Sequence, residues 1–200
     1  MRGLIPRNVF GGLSVYTARN GNLSDEVNAH LLAKARERNR ESLAELCEQF
    51  YPKLLKYMHY RVHSSVAEDL AGEVLVRVIR SIDRQTGSFV AWMYKIAANV
   101  VADHGRAGKV RREEPMSEHT LETQTAGGDV SADVGRQLDI QSALGKLTGD
   151  QRELVTLKFI QGLSNAEVGE VTGRKPEAVR GLQFRALNAL RQILGGEDNE

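Results

Sequence analysis

Cysteine occurs once in this chain, at Cys47. No disulfide can therefore close within it, and the usage suits a reducing cytosol. No run approaches the ~18 consecutive apolar residues that a membrane-spanning helix requires. An excess of either charge is missing too: 27 Lys and Arg against 26 Asp and Glu leave a net charge of +1. A generally polybasic binder is thereby excluded, and any contact with nucleic acid must come from local clusters. No stretch of convincing length alternates with the period of a strand, and no internal repeat is found. Without a strand there is no Gly-rich phosphate loop following one. What is present is an ordinary apolar content, 41% of 200 residues, arranged with helical spacing. That is enough chain for one or two domains with real cores.

The most informative stretch runs from Gln161 to Arg191. Gly162 can close one helix, because a left-handed backbone carries no Cβ penalty at Gly. Ser164 precedes Glu167 by the spacing of a capping box, which opens a short helix. Gly173 closes that helix, and Pro176 falls in the first turn of the next, where Pro is tolerated. A short helix, a tight Gly-containing turn and a longer helix are the parts of a helix-turn-helix. On the longer helix Val179, Leu182, Ala186, Leu190 and Ile193 make one apolar stripe. Glu177, Arg180, Gly181, Phe184, Arg185, Asn188 and Arg191 point the other way. Such a face suits a DNA major groove, where Arg bonds guanine O6 and N7 together and apolar groups meet thymine methyls. A plain solvated face on a helical hairpin is the other reading of this stretch taken alone.

Residues 1–23 mix Gly, Arg and isolated apolar residues without a period, and are expected to form a flexible tail. Their basic start resembles a targeting segment, but Pro6, Gly11 and Gly12 interrupt any apolar region of roughly 7–15 residues. Ser24 can cap a helix that carries Val27, Leu31 and Ala35. A second helix is expected from about Glu41 to Val62, with Leu43, Leu46, Cys47, Phe50, Leu54, Leu55, Met58 and Val62 inward. Pro52 inside it predicts a kink or a break. Ser65 and Glu68 have capping-box spacing ahead of the stripe Leu70, Val74, Leu75, Val78, Ile79 and Ile82. After a polar turn, Asp83 to Gly87, Ser88 caps a helix that buries Phe89, Trp92, Met93, Ile96, Ala97, Val100 and Val101. Four such helices bury their stripes most simply as a bundle. The basic run Gly105 to Arg112 is followed, from Glu113 to Gly135, by six acidic residues and no Lys or Arg. This is expected to be a flexible acidic linker, too polar to order itself without a partner. A second helical unit then carries Ile140, Ala143, Leu144 and Leu147, a third capping box at Thr148 and Gln151, and Leu154, Leu157 and Ile160. The fold expected is all-α: a four-helix bundle over residues 24–107 and a helix-turn-helix domain over 138–195, joined by a linker over 108–137.

This order of segments resembles the extracytoplasmic-function (ECF, group 4) σ factors of bacterial RNA polymerase. The stretches that carry the resemblance are AEDLAGEVLVRVIRSI from Ala67, SFVAWMYKIAANVVADHGR from Ser88, and the run from Leu144 to Leu190. Together with their spacing they cover most of the chain from about Ser24 to Leu194. The resemblance implies a σ2-like first domain that grips the β′ clamp helices of core RNA polymerase and opens the −10 element of promoter DNA. It implies a σ4-like second domain that contacts the −35 element and the β flap. Glu68, Asp69, Glu73 and Arg77 would border the polymerase-binding face. Tyr94, Lys95, Asn99, Asp103 and Arg106 match positions around the −10 site, where unstacked bases must be held. Asn99, with the turn Arg84 to Ser88, is expected to read the flipped base. Tyr94 and Lys95 point off the apolar stripe, and Trp92 belongs to it. Lys109, Arg111 and Arg112 would meet phosphates, giving affinity and salt dependence rather than specificity. Lys175, Pro176, Glu177, Arg180, Gln183, Phe184 and Arg185 fall where the family contacts the −35 element.

The chain also departs from the family pattern. Gly173-Arg174-Lys175 stands where Gly-Val-Ser is frequent, and Lys175 cannot accept a capping bond as Ser would. Gly181 inside a helix costs roughly 1 kcal/mol against Ala. Gly72 replaces a common Gln, and the turn before Ser88 lacks the usual aromatic. An anti-σ protein is a further implied partner, the implied location is cytoplasmic, and no cofactor or catalytic group is implied.

Two other readings compete. A helix-turn-helix regulator with an unrelated sensor domain would bind duplex operators without polymerase, as a dimer on paired half-sites. A helical metal-dependent hydrolase would use His59 and His63, four apart, beside Glu68 and Asp69. That set lacks the Glu of H-E-x-x-H and a third His at a plausible spacing. Cys47 lies on an apolar stripe as a small core residue.

Overall fold

The apolar stripes become eight helices and no strand among the described residues, which in this computed structural model are 29–111 and 140–195. The expected tail, the Ser24 cap and residues 112–137 of the expected linker lie outside them. The first unit holds α1 (Ala29–Arg36), α2 (Arg40–His59), α3 (Ser64–Ser81) and α4 (Phe89–Arg111), with a 3₁₀ turn at Ile82–Arg84. The second holds α5 (140–145), α6 (Gly149–Val155), α7 (Asn165–Thr172) and α8 (Pro176–Gly195). A single π-helical turn, Thr156–Ile160, extends α6.

In the first unit Leu46, Phe50, Leu54 and Met58 of α2 meet Leu70, Val74 and Val78 of α3 and Phe89, Met93, Ala97 and Val100 of α4, all buried. Phe50 and Phe89 stand edge to face, 5.2 Å between centroids, a favoured geometry for the ring quadrupoles. Two local expectations are corrected here. The break that Pro52 would allow does not occur, and α2 continues through it as one helix. Pro52 and Glu48 are both exposed, so the carbonyl that loses its helical donor lies on the water side, where solvent replaces the bond. The cap of α3 is also not Ser65: the helix starts one residue earlier, at Ser64, and His63 is its N-cap, accepting the Ser65 N–H at 3.4 Å. Ser65 therefore sits inside the first turn and its hydroxyl lies 2.9 Å from His63 Nδ1. Ser88 does cap α4, accepting from Ala91 N at 3.2 Å.

The α1–α2 turn holds a left-handed residue that is not glycine, Arg38, at φ 66°. Its guanidinium donates to the carbonyls of Ile79 and Arg80 at 2.8 and 3.0 Å and pairs with Asp83 at 2.9 Å. A cation thus closes the C-terminal end of α3, where orphan carbonyls and the helix dipole favour it. Arg38→Ala is expected to destabilise the bundle by ~1–2 kcal/mol, because it loses the cap and keeps the left-handed strain. Arg38→Gly loses the same cap but relieves the strain, so its thermal unfolding should lie closer to that of the parent. Equal melting of the two variants would show the turn to be unstrained.

In the second unit both capping boxes form. Thr148 and Gln151 exchange bonds at the start of α6, as Ser164 and Glu167 do at the start of α7. Arg152 reaches back to the carbonyls of Leu144 and Gly145 at 2.8 and 2.6 Å, fixing α6 against the end of α5. Gly162 adopts φ 77°, and the Leu163 N–H bonds the Leu157 carbonyl at 3.0 Å, ending the π turn.

The two units pack on one another. α7 lies along α4, and the π turn lies against α2. On the first unit's side of the junction the Tyr57 ring of α2 and the Tyr94 ring of α4 meet at 5.3 Å.

Candidate nucleic-acid interface

The helix-turn-helix is built around a close approach of backbone. α7 ends at Gly173, φ 68°, and the Arg174 N–H bonds the Gly169 carbonyl at 3.0 Å. A Cβ on Gly169 would lie 2.7 Å from the Arg174 carbonyl oxygen, so only hydrogen fits there. α8 then begins at Pro176, with the Val179 N–H bonded to the Lys175 carbonyl at 3.0 Å. Val179, Leu182, Ala186 and Leu190 are buried, as their spacing predicts. Lys175, Pro176, Glu177, Arg180, Phe184 and Arg185 are exposed and Gln183 is half-buried. Phe184 is 68% exposed, an unusual state for a large apolar ring and one that a partner surface would relieve. Arg180 pairs with Glu177 at 3.2 Å. Both side chains are mostly exposed, so the pair is weak and free to exchange for a base edge.

On α4, Lys95, Asn99, Asp103 and Arg106 are exposed and recur at helical spacing as one ridge. Asp103 is the hub of that ridge. Its carboxylate accepts from Arg106 at 2.5 Å and from Arg77 at 3.3 Å, and these two guanidinium bonds hold its pKa below the ordinary carboxylate value. An anion so placed would repel a phosphate, and its two ion pairs hold Arg106 and Arg77 in place. The backbone of 108–111 continues α4, past the expected start of the linker. The side chains of Lys109 and Arg111, and Arg112 entirely, lie outside the described residues.

Tyr94 requires a correction. Its spacing predicts a side chain pointing away from the apolar stripe, yet it is 0% exposed. The hydroxyl donates to Gln161 Oε1 of the second unit at 2.8 Å. The α4 periodicity describes one stripe of one bundle, and Tyr94 is buried at the junction of the two, its ring against Tyr57 of α2 and its hydroxyl on the second unit. The turn at 84–88 is exposed at Arg84, Thr86 and Gly87. Gln85 within it is buried, donating to the Gly87 carbonyl at 2.8 Å and accepting from Arg36.

A third surface lies on α3. Glu68, Asp69 and Glu73 are exposed, and Arg77 is bonded to Glu73 at 2.6 Å. Because Arg77 also reaches Asp103, the acidic face of α3 and the ridge of α4 share one ion-pair chain. Reading the sequence for charge missed Val76, which stands 46% exposed three residues beyond Glu73 and seven beyond Asp69. Its helical register was the available signal.

His63 is engaged as a helix cap, and no cluster of three His, Cys, Asp or Glu side chains suited to a metal is found among the described residues. The Cys47 thiol is pushed above its ordinary pKa by burial and by Glu48, which makes it a poorer nucleophile.

Comparison with known proteins matches both units. Sigma-70 region 2 matches residues 46–111 and Sigma-70, region 4 matches residues 137–190. The ECF RNA polymerase sigma factor BldN of Streptomyces coelicolor is 32% identical over 82% of this chain, and the chain spans 64% of that protein's length. The ECF RNA polymerase sigma factor ShbA of Streptomyces griseus is also 32% identical over 82% of the chain, which spans 93% of that relative. Among solved structures, the sigma factor RpoE in complex with the anti-sigma factor NepR from Bartonella quintana aligns with a TM-score of 0.60 at 21% identity, covering 76% of this chain and 96% of RpoE.

Proposed function

We propose, from the premise that this chain belongs to the family of ECF RNA polymerase sigma factors, that it binds core RNA polymerase and directs promoter-specific initiation. The observation that carries the proposal is the co-occurrence, in family order, of three exposed surfaces of different chemistry on two linked helical units. The acidic face of α3, with Glu68, Asp69, Glu73, Arg77 and Val76, docks on the β′ clamp helices. The ridge Lys95, Asn99 and Arg106, together with the 84–88 turn, receives the unstacked −10 bases, with Asn99 as the base reader. Tyr94 adds a ring to that site once the second unit moves away. Lys109, Arg111 and Arg112 supply phosphate contacts, and therefore salt dependence. Lys175, Pro176, Glu177, Arg180, Gln183, Phe184 and Arg185 enter the −35 major groove, while the same domain rests on the β flap.

Nothing in this division of labour requires a catalytic group on the chain: polymerase carries out the chemistry and the σ factor supplies binding energy. The protein acts in the cytoplasm, and no described helix is long and apolar enough to cross a membrane. An anti-σ protein is the expected inhibitor, as NepR is named for the Bartonella factor of the same fold. A duplex-operator regulator is disfavoured, because it would have no use for an acidic α3 face tied to the α4 ridge.

Run-off transcription from a promoter library, with core polymerase alone, with this chain alone and with both, tests the assignment. Transcripts that need both components are expected, and none with both would refute it. Within that assay Arg185→Ala should reduce −35-dependent initiation about tenfold, the loss of a guanine contact worth ~1–2 kcal/mol. Pull-down by core polymerase should be unchanged, since Arg185 faces away from the apolar stripe. Equal loss in both assays would assign the residue to folding.

A further inference from the structure

We infer that the free chain latches itself shut through a buried polar contact between its two units, and that this latch must open before a promoter can be read. The inference rests on the σ-factor reading above, and its centre, at Tyr57, Arg61 and Glu153, lies outside the three surfaces assigned there. At its centre Glu153 of α6 accepts a bond from the Tyr57 hydroxyl at 2.7 Å and an ion pair from Arg61 at 2.5 Å. Arg61 also donates to the Gly149 carbonyl at 3.3 Å. Both charged side chains are only 12–13% exposed, and Tyr57 is fully buried. A second point joins the Tyr94 hydroxyl to Gln161, and a third joins the Ser88 hydroxyl to Glu167 at 3.2 Å. Every one of these partners crosses from the first unit to the second.

Closure conflicts with the promoter-reading task in two ways. It places α7 on α4 and engages Ser88 and Tyr94, at the edge of the surface that would hold unstacked bases. It also brings the two DNA-reading helices too near each other. Packed helices lie ~8–10 Å apart, so α8, packed on α7, is within roughly 20 Å of α4. Elements centred near −35 and −10 are about 25 base pairs apart, ~85 Å along a duplex that rises ~3.4 Å per pair. Residues 112–139 have an extended reach of up to roughly 95 Å at ~3.4 Å per residue, so the covalent chain permits the separation.

The chemistry of the contact suits a latch better than a permanent core. Arg61 Nε and Gln161 Nε2 are buried without a hydrogen-bond partner, and a charge pair removed from water gains little unless every group is satisfied. Opening returns those groups to solvent, and their hydration offsets part of the cost of exposing the apolar surface between the units.

The test uses the full chain in a Cys47→Ser background, with spin labels at Glu45→Cys and Glu170→Cys. Both positions are exposed, and neither lies in the assigned surfaces. Pulsed dipolar spectroscopy on the parent is expected to show one short, narrow distance. Glu153→Arg and Arg61→Glu should each replace it by a long, broad distribution, and the double exchange should bring the short distance back. Gln161→Glu provides an independent opening change should the α6 variants fold poorly, with circular dichroism confirming helix content. Opened variants should also bind core polymerase several-fold faster. A long, broad distance in the parent, or a short one that survives both Glu153→Arg and Gln161→Glu, overturns the latch. Loss of polymerase binding in every variant, with the distance changes intact, would instead overturn the σ-factor reading.

Discussion

Gly169→Ala is expected to abolish −35-dependent initiation and to unfold the helix-turn-helix domain at a far lower temperature than the parent. The added methyl would lie 2.7 Å from the Arg174 carbonyl oxygen. That neighbour is backbone inside the tight turn, so it cannot swing aside as the end of a flexible side chain would. Relief requires α7 and α8 to move apart, and overpacking of this kind costs ~1–3 kcal/mol or more. In a small domain that is a large share of the stability. Gly181→Ala in the same domain should have the opposite sign. Only the flexible Arg185 Nη1, 3.9 Å away, comes near its Cβ, and removing Gly from mid-helix stabilises by roughly 1 kcal/mol. Thermal unfolding of the two variants side by side measures both effects. If Gly169→Ala melted with the parent, the turn would have to be looser than this close approach implies.

The second large effect is expected on α3. Asp69→Lys with Glu73→Lys should weaken association with core polymerase about a hundredfold, while leaving the bundle folded. Like charges brought together at an interface cost several kcal/mol, and ~2.7 kcal/mol corresponds to a factor of one hundred. The folded state loses little, because the Glu73–Arg77 pair is some 40% exposed on each side and such pairs contribute ~0–1 kcal/mol. The reversal also frees Arg77 to rest wholly on Asp103, 3.3 Å away. Association rates with labelled core enzyme at two salt concentrations would report the change, with a smaller difference at the higher salt. Wild-type association of the double variant would remove this face from the interface.

How much of the molecule is legible in advance depends on how local each determinant is. The two boxes at Thr148–Gln151 and Ser164–Glu167 form because donor and acceptor lie within one turn, so no distant residue can veto them. The Ser65–Glu68 pattern matches the same template and fails, since His63 offers its ring nitrogen two residues earlier. Pro52 removes a donor, as its ring requires, yet it does not break the helix. Which side of α2 faces water is decided by packing, and that side absorbs the defect. On α8 the inward stripe and the outward Arg180, Phe184 and Arg185 follow from the 3.6-residue period alone, because one neighbour covers one face.

Tyr94 marks the boundary of that logic. Periodicity places a residue on a face of its own helix, and it carries no information about a second domain arriving from 67 residues away to bond its hydroxyl. The burial of Glu153 against Arg61 and Tyr57 is of the same kind: from its neighbours in sequence it is an ordinary acidic residue in a short helix. The all-α class, the helix-turn-helix and its outward face, and the family itself were therefore determined by the chain's own order of residues, since each rests on contacts within a few turns. The left-handed Arg38 clasp, the choice of cap at α3 and the closing of one unit upon the other were decided only in three dimensions, because the partners that stabilise them are brought together by folding and not by sequence.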